Sequence, residues 1–328
     1  METAQPVIAA ENLHVHFRRG LIGTPATRIR ALDGMNLEVR EGEFFALVGQ
    51  NGAGKSTAMY SFLGLIRPTS GRVRLMGGAP ELGSAIYRGV AYLPEEPHYH
   101  LYMTVGEALR YYGSLYGRRV ADAEISSALD RLGLGPFRDL RLSKCSKGMK
   151  QKLGIAQCLI HDVRVLFLDE PTRGLDPIVV VTVRDVLREL HGRGLTVIMN
   201  THVLSEVEML ATRVAIIERG RVIAEDSLEH LLRSEQALYQ VTFEPNGSTP
   251  EYLLHAERRG EVVWGTIPAE RLHDFMQFAR DTGARLVECS LKKVTLEESF
   301  MKILKGDSGS SGVPNPPGPI PPEPLKTG

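Results

Sequence analysis

Four short apolar runs recur along the first two thirds of the chain, separated by segments in which apolar residues have helical spacing. Unbroken apolar runs of this length are typical of strands buried on both faces of a parallel sheet. Because these strands alternate with helices, the pattern predicts an α/β core with a mostly parallel sheet flanked by helices. The predicted core strands are residues 44–48, 90–93, 165–168 and 196–199.

A second pattern, alternation of apolar and polar positions, predicts strands with only one buried face. It occurs in residues 7–17, 29–40 and 71–76, which we interpret as an antiparallel β-subdomain. A stretch that contains Gly and Pro, residues 19–28, joins the first two of these strands. Residues 213–225 predict a hairpin that closes the core sheet.

Helical periodicity is clearest in three segments. Residues 104–134 are predicted to be rich in helix, and residues 149–160 predict a strongly amphipathic helix. Residues 178–191 predict a helix between the last two core strands. We therefore expect a helical subdomain over about residues 96–160.

The order of predicted elements changes beyond about residue 230, which suggests a division into domains. Residues 1–230 would form the main domain and residues 231–305 a small α/β module that ends in a helix capped by Thr295. Residues 306–328 hold seven of the nineteen prolines and few large apolar side chains, so we expect a disordered tail. The module's other predicted elements are strands near 237–244, 261–267 and 284–292 and helix 269–282.

Composition and charge exclude several classes of protein. The 328 residues include 39 Lys and Arg and 39 Asp and Glu, so no excess of positive charge indicates nucleic acid as a partner. Three cysteines without C-x-x-C spacing argue against a disulfide framework or a zinc site and predict reduced thiols. No secretory signal and no apolar run of about 18 residues is visible, so the chain is not expected to span a membrane.

The most informative motif is a glycine-rich loop between a predicted strand and a predicted helix. Residues 49–57, Gly-Gln-Asn-Gly-Ala-Gly-Lys-Ser-Thr, match the P-loop pattern G-x-x-x-x-G-K-[ST]. Backbone N–H groups of such a loop bind phosphates, its lysine reaches the β- and γ-phosphates, and its serine ligates Mg²⁺. The residues expected to bind a nucleoside triphosphate are Gly49, Asn51, Gly52, Gly54, Lys55, Ser56 and Thr57.

Two carboxylates follow the third core strand. Asp169 and Glu170 lie at its carboxyl end, where ligands bind in open α/β sheets. Asp169 is predicted to hold Mg²⁺, directly or through water. Glu170 is predicted to orient and deprotonate the water that attacks the γ-phosphate.

Taken together, these motifs resemble those of the ATP-binding subunit of ABC transporters, over about residues 5–228. The family's remaining motifs follow in order: a signature sequence, a D-loop and a switch histidine. They are Ser146-Lys147-Gly148-Met149-Lys150-Gln151, Gly174-Leu175-Asp176-Pro177 and His202.

The resemblance implies a P-loop NTPase fold and a dimer in which two subunits enclose two ATP molecules. Each ATP would lie between one P-loop and the signature sequence of the partner, so Ser146, Gly148 and Asp176 are expected to bind nucleotide. His202 would contact the γ-phosphate and hold the attacking water with Glu170. The expected catalytic residues are Glu170, His202 and Lys55.

The resemblance also implies a biological role. The chain would hydrolyse ATP, paired with a second copy or a paralogue, to drive transport through a separate integral membrane permease. It would lie in the cytoplasm on the inner face of the membrane. The alternative is a soluble ABC ATPase that acts on nucleic acid or the ribosome, but such proteins usually carry two ATPase domains or a long coiled coil. This chain has one P-loop and no heptad run.

Two departures from the family pattern point to one branch. In the signature, Cys145, Lys147 and Met149 replace the usual Leu, Gly and Gln. Glu95 takes the place of a glutamine that senses Mg²⁺ and the permease, so Glu95 joins Ser56 and Asp169 as an expected Mg²⁺ ligand. With the sequence Thr295-Leu296-Glu297-Glu298-Ser299-Phe300 near the end, these features resemble the exporter-type (ABC-2) branch.

Some residues allow two interpretations. Phe17 either stacks on adenine, as the family position implies, or packs in the core. Ser146 either grips a phosphate or only caps its helix. The aromatic-rich segment 97–102 either docks a helix of the permease or packs beneath the helical subdomain.

Two histidine pairs have the i, i+2 spacing of metal ligands on a strand. These are His14 with His16 and His98 with His100. No third ligand is near either pair in the sequence, so exposed histidines without metal are expected.

Overall fold

A computed structural model describes residues 6–19, 27–117, 119–160, 162–233, 238–292 and 295–305. The predicted tail, 306–328, and most of the joining stretch 19–28 lie outside the described residues. The strands are β1 (Ile8–Arg19), β2 (Thr27–Val39), β3 (Phe44–Val48), β4 (Ser70–Leu75), β5 (Val90–Leu93), β6 (Val165–Asp169), β7 (Thr196–Thr201), β8 (Arg213–Glu218), β9 (Arg221–Ser227), β10 (Leu238–Glu244), β11 (Leu254–Arg259), β12 (Val262–Pro268) and β13 (Arg285–Leu291).

The helices match the predicted segments, with two additions. The helix-rich segment 104–134 forms two helices, and two short helices at 204–210 and 228–231 were not predicted. The helices are α1 (Lys55–Phe62), α2 (Val105–Leu115), α3 (Asp122–Arg131), α4 (Lys147–Leu159), α5 (Pro177–Gly192), α6 (Leu204–Leu210), α7 (Leu228–Leu231), α8 (Leu272–Thr282) and α9 (Leu296–Lys305).

The central sheet contains the four predicted core strands and the predicted hairpin. Its strand order is β5-β6-β7-β3-β8-β9, with only β9 antiparallel to its neighbour. Successive residues of β3 point to opposite faces of the sheet. Phe44 packs with helices α2–α6, whereas Phe45 packs in a second core on the opposite face. Both faces are therefore covered, which accounts for the unbroken apolar runs.

The antiparallel β-subdomain is present as predicted. A three-stranded sheet with the order β2-β1-β4 packs, together with α1, on the face of the central sheet to which Phe45 points. The fold is thus the predicted α/β arrangement. Among the described helices, none combines the length and apolarity that crossing a membrane requires.

A third sheet lies near the end of the chain, with the order β11-β12-β10-β13. Its core includes Phe243 of β10 and Phe275 of α8, whose rings meet edge to face at 5.3 Å. The last helix, α9, packs on the main core instead, where Leu296 is fully buried. The Leu296 N–H donates to Glu208 Oε1 of α6 at 2.5 Å. The domain boundaries remain a prediction.

Candidate functional site

The P-loop connects β3 to α1, as its sequence predicts. Gly54 precedes the helix with φ 108°, a conformation that favours glycine. A Cβ atom at Gly54 would lie 2.5 Å from the Ala31 carbonyl oxygen, and one at Gly49 would lie 2.3 Å from that of Ile217. No side chain caps α1 and its first turn holds no acidic residue. The first N–H groups of the helix are therefore suited to an anion.

Lys55 is buried at the start of α1, with 6% of its surface exposed. Its Nζ donates to the carbonyl oxygens of Gly49 at 2.7 Å and Gln50 at 3.2 Å, which holds the ammonium group inside the loop. Burial lowers the pKa of Lys55, while the charges of Glu170 and Asp169 oppose that shift. A partly desolvated ammonium group interacts strongly with phosphate.

Asp169 and Asn200 lie opposite each other at the carboxyl ends of β6 and β7. Asn200 Nδ2 donates to Asp169 Oδ1 at 2.5 Å and to Ser56 Oγ at 3.1 Å. The Tyr60 hydroxyl donates to Asp169 Oδ2 at 3.3 Å. These contacts join the P-loop serine to the predicted metal-binding carboxylate. The sequence reasoning did not identify Asn200 or Tyr60 as site residues.

This group of oxygen atoms fits Mg²⁺. Burial raises the pKa of Asp169, and the charges of Glu170 and Glu95 raise it further, so a nearby cation would stabilise the ionised carboxylate. Asn200 Oδ1 is buried and, within the described residues, has no hydrogen-bond partner. Ser56 and Asp169 would hold the ion, and Mg²⁺ would neutralise phosphate charge there.

Glu170 and His202, predicted to act together, are in direct contact. His202 Nδ1 lies 2.7 Å from Glu170 Oε1, and Thr201 Oγ1 donates to Glu170 Oε2 at 3.4 Å. Glu170 has a left-handed backbone conformation with φ 47°, which is uncommon for a residue with a side chain. Its N–H donates to the Asn200 carbonyl oxygen at 2.8 Å, which stabilises this sharp turn after β6.

A second buried carboxyl group lies beside this pair. Glu206 of α6, 7% exposed, accepts a hydrogen bond from the Thr172 hydroxyl through Oε2. Burial raises the pKa of Glu206, and the negative charge of Glu170 raises it further. Sequence reasoning missed both residues, although an acidic residue four positions after His202 was a visible signal.

Glu95, the residue in place of glutamine, follows β5 and forms an ion pair. Arg173 Nη1 donates to Glu95 Oε1 at 2.7 Å. Glu95 is close enough to Asp169 to contribute to the raised pKa of that group. Arg173 therefore balances the charge that the carboxylate adds, a compensation that the sequence reasoning did not identify.

The remaining predicted nucleotide-binding residues lie on exposed surfaces or at helix ends. Phe17 on β1 is 42% exposed and pairs with Ile29 of β2, so the alternative that it packs in the core is wrong. Ser146 accepts a hydrogen bond from the Met149 N–H at 3.2 Å and caps α4. Asp176 precedes Pro177 at the exposed start of α5.

Gly148 lies where helix α4 approaches helix α5 closely. A Cβ atom on this residue would lie 3.3 Å from a methyl group of Val179 on α5. The signature helix α4 and the helix that follows the D-loop therefore pack closely at this point. The nucleotide-binding roles of Phe17, Ser146, Gly148 and Asp176 stay predictions.

The aromatic segment 97–102 contains both packed and exposed side chains. Tyr99 is packed, because its hydroxyl donates to the Lys150 carbonyl oxygen at 3.1 Å and its ring meets that of Tyr112 at 5.7 Å. Tyr99 therefore fits the interpretation of packing beneath the helical subdomain. Tyr102 is 71% exposed and Leu101 is 51% exposed.

The expectation that no third metal ligand lies near His14 and His16 is wrong. Antiparallel pairing of β1 with β2 places Asp33 opposite His14, so a third possible metal ligand lies beside His14 and His16. The sequence reasoning missed it because Asp33 is 17 residues further along the chain than His16.

Comparison with known proteins gives consistent results. The family model described as ABC transporter matches residues 32–173. An uncharacterized ABC transporter ATP-binding protein of Nostoc sp. is 35% identical over 86% of this chain and 85% of its own length. A fluoroquinolones export ATP-binding protein of Mycobacterium tuberculosis is 36% identical over 63% of this chain and 72% of its own. A solved ATP-binding subunit of an ABC transporter superposes with a TM-score of 0.58 at 28% identity, covering 69% of this chain and 91% of that chain.

Proposed function

The chain belongs to the ABC transporter family of ATP-binding proteins, and we propose that it hydrolyses ATP in a two-subunit sandwich to drive export through a separate membrane permease. The chain would lie in the cytoplasm, on the inner face of the membrane. The observation that carries the proposed chemistry is the contact between Glu170 and His202 at the ends of β6 and β7. It brings a candidate base and a candidate γ-phosphate ligand together beside the P-loop.

In this mechanism, each side chain has a role that its position supports. Glu170 accepts the proton of the attacking water, and His202 holds Glu170 and contacts the γ-phosphate. Lys55, whose ammonium group lies inside the P-loop, binds the β- and γ-phosphates. Ser56 and Asp169 would hold Mg²⁺, with Glu95 near Asp169, and the bound ion would supply positive charge against the phosphates.

The need for a second subunit is supported by what the chain exposes. Asp176 and Phe17 are exposed, and Ile178, at the start of α5, is 82% exposed. An apolar side chain this exposed, two residues after the predicted nucleotide-binding residue Asp176, is suited to burial against a partner. We propose that Ser146 and Gly148 complete the site of the partner subunit, whose own P-loop holds that nucleotide.

Complementation tests the shared site. Lys55→Ala should remove phosphate binding, and Ser146→Arg should block the opposite side of the sandwich. Each variant alone should be inactive, whereas a mixed dimer should recover part of the wild-type ATPase rate, because one of its two sites is intact. Ser127→Arg, at an exposed position of α3, is the control and should retain the wild-type rate. No recovery in a verified mixed dimer would contradict the sandwich.

Two observations support the proposal that a membrane permease is a partner of this chain. The relative from Mycobacterium tuberculosis is named for export. In this chain, Leu101 and Tyr102 are exposed on the segment that leads from Glu95 to α2. We propose that this segment receives a short helix of the permease, because exposed apolar and aromatic side chains next to the nucleotide site suit such a contact.

Substituting Tyr102 tests this contact. Tyr102→Ala should reduce transport in membranes several-fold and leave basal ATP hydrolysis and melting temperature unchanged, because the side chain is exposed. Leu115→Ala, on α2 and 64% exposed, is the control and should retain transport. If transport persists in Tyr102→Ala, or if hydrolysis falls with it, the proposed contact is wrong.

A further inference from the structure

Two histidines and a carboxylate meet on the β1–β2 sheet, on a face that the proposed ATPase chemistry does not use. His14 and His16 alternate along β1 with buried Leu13 and Val15, so the histidines lie on the face turned away from the core. Asp33 of β2 is in register with His14. One ligand atom from each of the three residues lies within 4.8 Å of the other two. The three ligands are thus gathered from two strands.

Neighbouring hydrogen bonds orient two of these ligands. Arg221 donates to Asp33 Oδ2 from Nε at 3.1 Å and from Nη2 at 2.7 Å. This leaves Oδ1 directed at His14 Nδ1, 3.4 Å away. His14 Nε2 lies 3.1 Å from Asn12 Oδ1, and this contact is a hydrogen bond in the tautomer that carries its proton on Nε2. In the neutral ring, Nδ1 then presents a lone pair toward a carboxylate oxygen, an arrangement that a shared cation stabilises.

We propose that His14, His16 and Asp33 form a binding site for a divalent transition-metal ion of the Zn²⁺ class. Two imidazoles and one carboxylate are a donor set that Zn²⁺ uses, whereas Mg²⁺ prefers oxygen ligands alone. Asn12 and Arg221 contact the outer atoms of the ligands, as supporting residues do in known metal sites. The side chains of His14 and Asp33 are 24% and 17% exposed, so an ion can enter from solvent.

The site is connected to the P-loop by two backbone hydrogen bonds. The Asp33 N–H donates to the Gly220 carbonyl oxygen at 3.0 Å, and the Gly220 N–H donates to the Ala53 carbonyl oxygen at 2.8 Å. A bound ion would hold β1 to β2 and, through Arg221, to β9 behind the P-loop. It should therefore stabilise the folded chain without nucleotide.

The direct test is metal binding to the full chain, prepared without an affinity tag, treated with chelator and free of nucleotide and Mg²⁺. Calorimetric titration with Zn²⁺ should show a site of one ion per chain, and Co²⁺ should give the visible absorption of a tetrahedral complex. His14→Ala and His16→Ala should each weaken this binding at least about tenfold. His98→Ala removes one histidine of the other i, i+2 pair and should bind like wild type. So should Asp169→Asn, which changes the predicted Mg²⁺ site.

Thermal unfolding gives a second readout. Zn²⁺ should raise the melting temperature of wild type and of His98→Ala, and leave that of His14→Ala unchanged. If His14→Ala does not fold, Asp33→Asn replaces it in both measurements. The proposal is overturned if wild type shows no stoichiometric site, or if His14→Ala and His16→Ala bind as wild type does. Loss of binding in Asp169→Asn alone would also overturn it, because the ion would then lie in the nucleotide site.

Discussion

At the scale of single residues, the candidate site combines groups that the sequence identifies and groups that only the strand register brings together. Asp169, Glu170 and His202 could be predicted because their motifs follow buried strands. Asn200 could not be assigned a contact, because its bond to Asp169 depends on the pairing of β6 with β7. Thr172, in the segment after β6, contacts Glu206 of α6, and no local pattern encodes such a contact.

Glu206 predicts a pH dependence of stability. Its pKa is raised above the ordinary value of 4.5 by burial, so the folded chain binds its proton more tightly than the unfolded chain does. The stability that the protonated form contributes is fully present below pH 4.5 and is lost as pH rises through the raised pKa. Glu206→Gln keeps the size and remains neutral, so its melting temperature relative to wild type should increase with pH.

The measurement is the melting temperature of both proteins from about pH 4 to about pH 8. Glu229→Gln, on the exposed start of α7, is the matched control for replacing a glutamate by a glutamine. A constant difference between Glu206→Gln and wild type would show that burial does not perturb this carboxyl group.

At the scale of secondary structure, periodicity predicted the elements that bury one or both faces. The segments it missed lack such a signal for identifiable reasons. Every residue of β11 is exposed, so this edge strand shows no alternation of apolar and polar positions. Helix α6 has seven residues, which is too short for helical periodicity to be distinctive. The capping box at Thr295 was correctly predicted, because Thr295 and Glu298 each accept a hydrogen bond from the other's N–H.

Helix α9 gives a test of how the end of the chain is joined to the main core. Leu296 is fully buried in the same cluster as Val207 and Leu210 of α6. Leu296→Ala should reduce the free energy of unfolding by about 2–5 kcal/mol, because it leaves a cavity in that core. Met301→Ala, on the same helix but 45% exposed, is the control and should cost much less. Denaturant unfolding measures both, and equal effects would contradict the burial of α9.

At the scale of the whole molecule, the order of motifs identified the family, because each motif has a fixed place in the fold. The sequence did not show that α9 returns to the main core, since its amphipathic pattern predicts a buried face without identifying the surface that covers it. The Ser299 hydroxyl donates to the Leu231 carbonyl oxygen at 2.6 Å, which adds a polar contact to that join. Arrangements of this kind depend on the complete set of packed surfaces.

The central claim, that this chain hydrolyses ATP with Glu170 as the base, is tested most directly by the ATPase rate of Glu170→Gln. This variant keeps the P-loop and Asp169, so ATP affinity should remain near that of wild type, and ATP-bound dimer should accumulate. Its hydrolysis rate should fall by about 100-fold or more, because the attacking water loses its base. Glu96→Gln, an exposed neighbour of Glu95, should keep the wild-type rate. A Glu170→Gln rate close to that of wild type would contradict the account.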